Sequence, residues 1–240
     1  MKQENWYGVD TARGGDFSLS NAFPILMRKV FVWMTLALAI TGITAYGVAS
    51  SPALVGMIFS SKVMFWGLII AEFGLVMAIS GAINRLSLAT ATLLFILYSV
   101  VNGATLSVVF LAYSTTVIAK TFFITAGTFG AMALVGYTTK TDLTSMGKLL
   151  FMALIGIIIA SVVNIFVGSS GLDLIISYVG VLVFVGLTAY DTQKIKEMCR
   201  MAPDAGESMQ KLALLGSLSL YLDFVNLFLY LLRIFGNNKD

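Results

Sequence analysis

Two aspartates lie in long apolar runs near the carboxyl end of the chain, within TAYDTQKIKEM (188–198) and LYLDFVNLF (220–228). Asp223 has eleven uncharged residues before it and nine after it, so its short side chain reaches neither edge of its run. Asp191 is followed by Lys194 and Lys196 and is therefore closer to the end of its run. An ionisable group in apolar surroundings is costly unless it is paired, hydrated or neutral, which makes both aspartates candidate functional residues.

The chemistry expected of the two acids depends on whether they meet. Two carboxylates a few ångströms apart share a proton, because both cannot ionise easily. The chain has no histidine, so such a pair would be the group that titrates near neutral pH. When deprotonated, Asp191 and Asp223 would form a hard oxygen site, a metal site suited to Ca²⁺, or a site for protons. The alternatives are an ordinary acid at a helix end for Asp191 and a single hydrogen bond between helices for Asp223.

Three further polar residues are candidates. Arg85 follows an apolar run and is either an anchor at the membrane surface or a cation that pairs with one of the acids and latches a closed state. Glu72 sits in the middle of that run and is a candidate for the ion pathway. Asn226 is a second candidate for the pathway, because it falls on the same helix face as Asp223. Asn102 and Asn164 are expected to bridge helices.

The composition places these residues in a membrane. The 240 residues are 58% hydrophobic and 11% charged, whereas soluble domains carry about 25% charge. We predict an all-α, polytopic helical membrane protein, a seven-transmembrane bundle with the last helix central, since about 20 helical residues cross the hydrocarbon core. A polar cytoplasmic segment (1–21) is expected before a single membrane domain (22–240). The predicted spans are residues 30–49, 63–83, 88–112, 117–138, 149–168, 174–195 and 210–235.

The flanking residues predict orientation and packing. With seven spans, 11 Lys and Arg residues fall on one side and 4 on the other, so the positive-inside rule places the amino terminus in the cytoplasm. All three prolines, including Pro24, are expected outside the spans, because proline removes a helix donor. The small residues Ala126, Gly127 and Gly130, with a spacing of four between the first and the last, are expected to let neighbouring helices approach. No basic stripe interleaved with aromatic residues suggests nucleic-acid binding.

Three segments resemble the Bax-inhibitor-one family, also called transmembrane BAX inhibitor motif proteins. They are GLTAYDTQKI (186–195), LYLDFVNLFLYLLRIFG (220–236) and FFITAGTFGAMALVGYTTKTDL (122–143). The resemblance implies a calcium leak governed by a di-aspartyl pH sensor, with Asp191 and Asp223 as its acids. It also aligns the family's span-two arginine with Arg85 and its acid with Glu72. Only GNNKD follows Phe235, without the basic tail of several animal members that suppress cell death, which favours a bacterial plasma (inner) membrane protein.

The sequence therefore favours a membrane protein, not an enzyme, whose partners are Ca²⁺, protons and the lipid bilayer, with no cofactor beyond the Ca²⁺ it binds or carries. One alternative is a regulator that binds other membrane proteins, such as a membrane protease. A weaker alternative is an intramembrane aspartyl protease, which also uses two aspartates on neighbouring spans. Such proteases place GxGD around the second aspartate, whereas Leu220, Tyr221 and Leu222 precede Asp223 here.

Overall fold

The computed structural model describes residues 10–236, and in that range the chain forms eight helices. They are α1 (Asp10–Ala49), α2 (Pro52–Ser60), α3 (Lys62–Ala82), α4 (Leu88–Ala112), α5 (Thr115–Thr138), α6 (Thr144–Val167), α7 (Ser170–Arg200) and α8 (Glu207–Gly236). Every helix except the short α2 is long and apolar enough to cross a membrane. The all-α fold and the seven predicted spans are thus confirmed.

Serine residues define where most of these helices begin. The hydroxyl of each accepts a hydrogen bond from the backbone N–H three residues on, which satisfies one of the free donors of the first turn. The capping residues are Ser51 (α2), Ser61 (α3), Ser87 (α4), Ser114 (α5) and Ser169 (α7). Helix α6 ends at Gly168, whose φ of 67° is the left-handed conformation typical of a glycine after a helix.

Helix α8 is the centre of the bundle. Of its most apolar 18-residue stretch, 61% is buried, against 44% for α7 and 6% for each of α3 and α6. It packs against α1, α4, α5 and α7, whereas α3 packs mainly on α4 and α6 mainly on α7. The prediction of a central last helix is therefore confirmed, and its polar residues face other helices more than lipid.

The outer surface of the bundle is apolar. Large side chains of α3 and α6 are among the most exposed, including Val63 (84%) and Phe166 (85%). Exposed apolar surface of this extent is unfavourable in water and favourable in lipid. The two outer helices therefore form much of the surface that faces the hydrocarbon of the membrane.

Three expectations about local structure were wrong. Pro24 lies inside α1, where the helix continues on both sides although proline cannot donate a backbone hydrogen bond. The short α2, between the first two spans, was not predicted. Gly127 and Gly130 are exposed, with open space where a Cβ atom would be, so they do not bring helices together. Of the predicted polar segment 1–21, residues 1–9 lie outside the described residues and residues 10–21 begin α1.

Several hydrogen bonds tie the helix ends of one side together, and we call this side the basic end. It contains the α3–α4, α5–α6 and α7–α8 connections. The Lys211 ammonium donates to the Leu86 carbonyl at 3.0 Å, and the Leu88 N–H donates to the Glu207 carboxylate at 2.9 Å. The side chain of Gln193, on α7, accepts from the Leu143 N–H of the α5–α6 connection at 2.8 Å. Of the Lys and Arg residues within the described range, most lie at this end.

Candidate functional site

Asp191 lies within α7 and not in a loop. The helix continues for nine residues beyond it, to Arg200, which is about 14 Å along the axis. Its side chain is partly buried, and the neighbouring Thr188 and Thr192 are fully buried. The Thr188 hydroxyl donates to the Phe184 carbonyl at 2.7 Å, whereas the Thr192 hydroxyl has no hydrogen-bond partner among the described residues. The apolar run therefore carries Asp191 into the bundle as part of a continuous helix.

Asp223 lies deeper, on the central helix α8. Its side chain is 5% exposed, and its Oδ2 atom is buried with no hydrogen-bond partner among the described residues. The next residue, Phe224, packs its ring against Phe129 of α5, with ring centroids 5.4 Å apart. The Ser217 hydroxyl, on the preceding turns of α8, donates to the Ala213 carbonyl of its own helix. Asp223 is therefore a buried carboxyl group with one oxygen left for a proton, a water molecule or a cation.

The packing of α7 on α8 brings the two acids to nearly the same depth. The Ile195 side chain lies directly against Gly216, which fixes the register of these antiparallel helices. Four residues back from Ile195 is Asp191, and four residues on from Gly216 is Leu220. Asp223 is three residues further, or about 4.5 Å of helix rise. The two carboxyl groups are also close enough to interact electrostatically, so the structure brings these two candidate residues together.

Cations are scarce around this pair. Lys194, three residues after Asp191 and exposed, is the cation whose charge reaches Asp191, and it also lies over the Tyr190 ring. Within residues 10–236, no ion pair involves either Asp191 or Asp223. Two close carboxyl groups without a cationic partner favour sharing one proton over carrying two charges.

The other predicted site residues lie apart from the pair. Arg85 is exposed in the turn between α3 and α4 at the basic end, and it forms no ion pair within the described part of the chain. Asn226 turns back on its own helix and donates to the Leu222 carbonyl at 2.8 Å. Glu72 is partly buried on α3 and accepts from the Asn102 amide at 3.2 Å. The structure therefore does not bring Arg85, Asn226 or Glu72 into contact with the two acids.

Of the two asparagines expected to bridge helices, one does so. Asn102 on α4 contacts both Glu72 on α3 and Tyr221 on α8. Asn164 instead accepts from the Ser169 N–H at 3.1 Å and closes the turn between α6 and α7. The helix-bridging prediction was wrong for Asn164 because this residue lies in the last turn of α6, where free backbone groups are close at hand.

A cavity of about 690 Å³ opens at the basic end, beside the part of α7 that follows Asp191. Its lining includes Lys196, which is 7% exposed and donates to the Tyr137 carbonyl at 3.0 Å and the Thr139 carbonyl at 3.4 Å, where α5 ends. Asp142, also in the lining, has its pKa lowered by hydrogen bonds from the Thr144 side chain and backbone. The burial of Lys196 was not predicted, because nothing in its spacing distinguishes it from the exposed Lys194.

Similarity to known proteins extends over nearly the whole chain. The model of the family "Inhibitor of apoptosis-promoting Bax1" matches residues 24–240. The inner membrane protein YbhL of Escherichia coli is 50% identical over 214 residues, covering 89% of this chain and 92% of YbhL. A protein of Borreliella burgdorferi is also 50% identical with the same coverage, and RP147 of Rickettsia prowazekii is 45% identical over 216 residues, covering 89% and 90%. With its seven spanning helices and this match, the chain belongs to the Bax inhibitor family of membrane proteins.

Proposed function

We propose that this protein is a pH-sensitive calcium leak, in which Asp191 and Asp223 form the proton sensor and gate. The observation that carries the proposal is the buried Asp223 carboxyl group, which has one oxygen without a hydrogen-bond partner among the described residues and lies at nearly the depth of Asp191 on the neighbouring helix. A purely structural role would leave that oxygen with a hydrogen-bond partner, because buried polar groups in proteins are nearly always satisfied.

The gate works through the charge of the pair. With one shared proton, the two carboxyl groups are hydrogen-bonded to each other and carry a single negative charge between them. After deprotonation they repel each other and present two oxygen-rich anions, the kind of ligand that Ca²⁺ prefers. The Thr192 hydroxyl, on the residue after Asp191 and without a hydrogen-bond partner among the described residues, could supply a further oxygen ligand. The pair alone provides too few ligands to hold Ca²⁺ tightly, which suits passage of the ion better than storage.

The proposed location is the bacterial inner membrane, since the relative YbhL is an inner membrane protein in Escherichia coli. The basic end is proposed to face the cytoplasm, together with the amino terminus, because cytoplasmic loops carry the excess of Lys and Arg. In this orientation the cavity beside α7 opens toward the cytoplasm, next to the segment of α7 that follows Asp191.

The test of the proposal is Ca²⁺ entry into liposomes that carry the purified protein, followed from about pH 6 to about pH 8, where no histidine can interfere. The wild-type flux should rise with pH, by up to about tenfold per unit, since one proton governs the gate. Asp223→Asn should flatten this dependence, because an amide cannot share a proton with Asp191. Ser219→Ala, a substitution of a hydroxyl on the same helix, serves as the control and should keep the wild-type profile.

Flux equal to that of empty liposomes at every pH would overturn the calcium-leak proposal. A regulator of other membrane proteins would then be the better account of the chain. A wild-type flux that does not change with pH would refute the proton sensor while leaving the leak in place.

Arg85 is proposed to latch a second, closed conformation by pairing with one of the acids. This pair requires a movement of the α3–α4 turn toward α7 and α8, since Arg85 is exposed and free of ion pairs within the described part of the chain. Arg85→Gln should therefore raise the flux most at low pH, where the closed state dominates. The neighbouring exposed residue Asn84 offers the control Asn84→Ala, and equal fluxes for wild type and Arg85→Gln at every pH would exclude the latch.

A further inference from the structure

A second buried polar cluster is centred on Tyr221 of α8, two residues before Asp223. Four short contacts link four helices in a chain: Glu72 Oε2 to the Asn102 amide (3.2 Å), Asn102 to the Tyr221 hydroxyl (2.8 Å), Tyr221 to the Thr41 hydroxyl (2.7 Å) and Thr41 to the Ser99 carbonyl (2.9 Å). Tyr221 is fully buried, and Thr41 and Asn102 are 5% and 7% exposed. The proposed calcium gate uses none of these residues.

The number of hydrogens decides how this chain is arranged. If Glu72 is ionised, the Asn102 NH₂ group must donate to it, so the Asn102 oxygen must accept the Tyr221 proton. Thr41 must donate to the Ser99 carbonyl, because that oxygen has no hydrogen to give. No hydrogen then remains between Thr41 and Tyr221, although their oxygens are 2.7 Å apart. Two hydroxyl oxygens at that separation repel each other unless a hydrogen lies between them.

Protonation of Glu72 removes the conflict. With the Asn102 amide rotated by 180°, its oxygen accepts from the Glu72 hydroxyl and its NH₂ group donates to Tyr221. Tyr221 donates to Thr41, and Thr41 donates to the Ser99 carbonyl, so four contacts use four hydrogens. The oxygen and nitrogen of an asparagine amide are interchangeable in shape, so the network selects between the two orientations.

The surroundings of Glu72 also favour its protonated state. Glu72 lies on the inward face of α3, and its Oε1 atom is buried without a hydrogen-bond partner among the described residues. The nearby Thr105 hydroxyl donates instead to the Val101 carbonyl of its own helix, at 3.3 Å. The titratable neighbours of Glu72 are the phenols of Tyr98 on α4 and Tyr221 on α8. No Lys, Arg, Asp or Glu residue occurs in α2 or α4, the helices that α3 packs against, and no ion pair involves Glu72 in residues 10–236. An unpaired carboxylate within the bilayer is unfavourable.

We propose that Glu72 is a second protonation site of this protein, whose proton orients the Asn102 amide and thereby ties the outer helix α3 to Tyr221 on the central helix α8. When the proton leaves, the amide turns over and the contact between Tyr221 and Thr41 loses its hydrogen. The proton on Glu72 thus controls a link between α3, α4, α8 and α1 one half-turn from Asp223 along α8. This site is independent of whether the protein conducts Ca²⁺.

Infrared spectroscopy of the full chain in lipid vesicles at about pH 7 tests the site directly. A protonated carboxyl group gives a C=O band well separated from that of a carboxylate. This band should be present in wild type and in Asp223→Asn and should lose its Glu72 component in Glu72→Gln. The thermal unfolding temperature of Glu72→Gln should stay near that of wild type, because its NH₂ group can donate to Asn102 as the carboxyl group does.

A second variant tests the link from Glu72 to α8. Tyr221→Phe should shift the frequency of the Glu72 band, because it removes the acceptor of the Asn102 amide. Tyr230→Phe is the matched control, since Tyr230 is another tyrosine of α8 whose ring packs on Phe184 and whose hydroxyl makes none of the four contacts, and it should leave the band in place.

Three results would overturn the proposal. One is a Glu72→Gln spectrum identical to that of wild type, which would mean that Glu72 is ionised. Another is an unshifted Glu72 band in Tyr221→Phe. The third is loss of the wild-type band on addition of Ca²⁺ at constant pH, which would make Glu72 a cation site.

Discussion

The double variant Asp191→Asn/Asp223→Asn should flatten the pH dependence of Ca²⁺ flux no further than either single variant does. If the two carboxyl groups share one proton, removing either acid already destroys the sensor, and removing the second has nothing left to change. Groups that titrate as a pair interact by more than about one pK unit, which corresponds to about 1.4 kcal/mol. In a double-mutant cycle built on the pH dependence of Ca²⁺ flux, the effects of the two single variants should therefore deviate from additivity by at least this amount.

A third acid provides the control for this cycle. Asp173 lies on the same helix α7, 18 residues before Asp191, or roughly 27 Å along the axis, and it pairs with Arg233 at 3.2 Å. The effects of Asp173→Asn and Asp223→Asn should add, because the two residues share no partner. Additive effects for Asp191 and Asp223 as well would show that each acts alone, and the shared-proton gate would be excluded.

The sequence was most informative where hydrophobicity alone decides the structure. The lengths of the apolar runs predicted all seven spanning helices, because a helix is the only way to satisfy the backbone of a single segment in lipid. The same reasoning identified Asp223 as buried, since the residues around it leave no route to the surface. It also placed Asp191 and Asp223 on consecutive antiparallel spans, but the sequence could not show whether the two side chains meet.

Contacts between helices were harder to predict, because they depend on how each helix is rotated about its axis. For Arg85 the sequence allowed either an anchor at the membrane surface or a partner of the acids, and the residue lies in an exposed turn. Tyr221 was passed over although it is two residues from Asp223, since a tyrosine in an apolar run does not reveal whether its hydroxyl finds partners. The two partners of its hydroxyl, Thr41 and Asn102, come from α1 and α4, which are distant from it in sequence.

The glycines of α5 show the same difficulty in predicting contacts between helices. The sequence pointed to Gly127 and Gly130 on α5 as packing residues, since they belong to a cluster of small side chains. Both are exposed, and the close approach occurs at Gly136, one of the buried positions on the opposite face of the same helix. The buried face of α5 is set by its contacts with α7 and α8, and these contacts cannot be read from the spacing of small residues.

Gly136→Ala is expected to be among the most destabilising single substitutions in the chain. A Cβ atom at this position would overlap the backbone carbonyl oxygen of Ala189 on α7, so the two helices must move apart. Overpacking in a protein core typically costs about 1–3 kcal/mol, and the upper part of this range or more is expected here, because a backbone atom cannot turn aside as a side chain can. Thermal unfolding of the purified protein in detergent measures the effect.

The control for Gly136→Ala is Gly130→Ala, on the same helix with no atom within 4 Å of the new methyl group. Its unfolding temperature should be unchanged or slightly raised, since alanine favours a helix over glycine by up to about 1 kcal/mol. Because Ala189 is two residues before Asp191, separation of α5 from α7 should also disturb the carboxyl pair, and Gly136→Ala should alter the pH profile of the flux while Gly130→Ala does not. Equal unfolding temperatures for the two variants would mean that α5 and α7 do not meet at Gly136, and the position assigned to Asp191 would then be wrong as well.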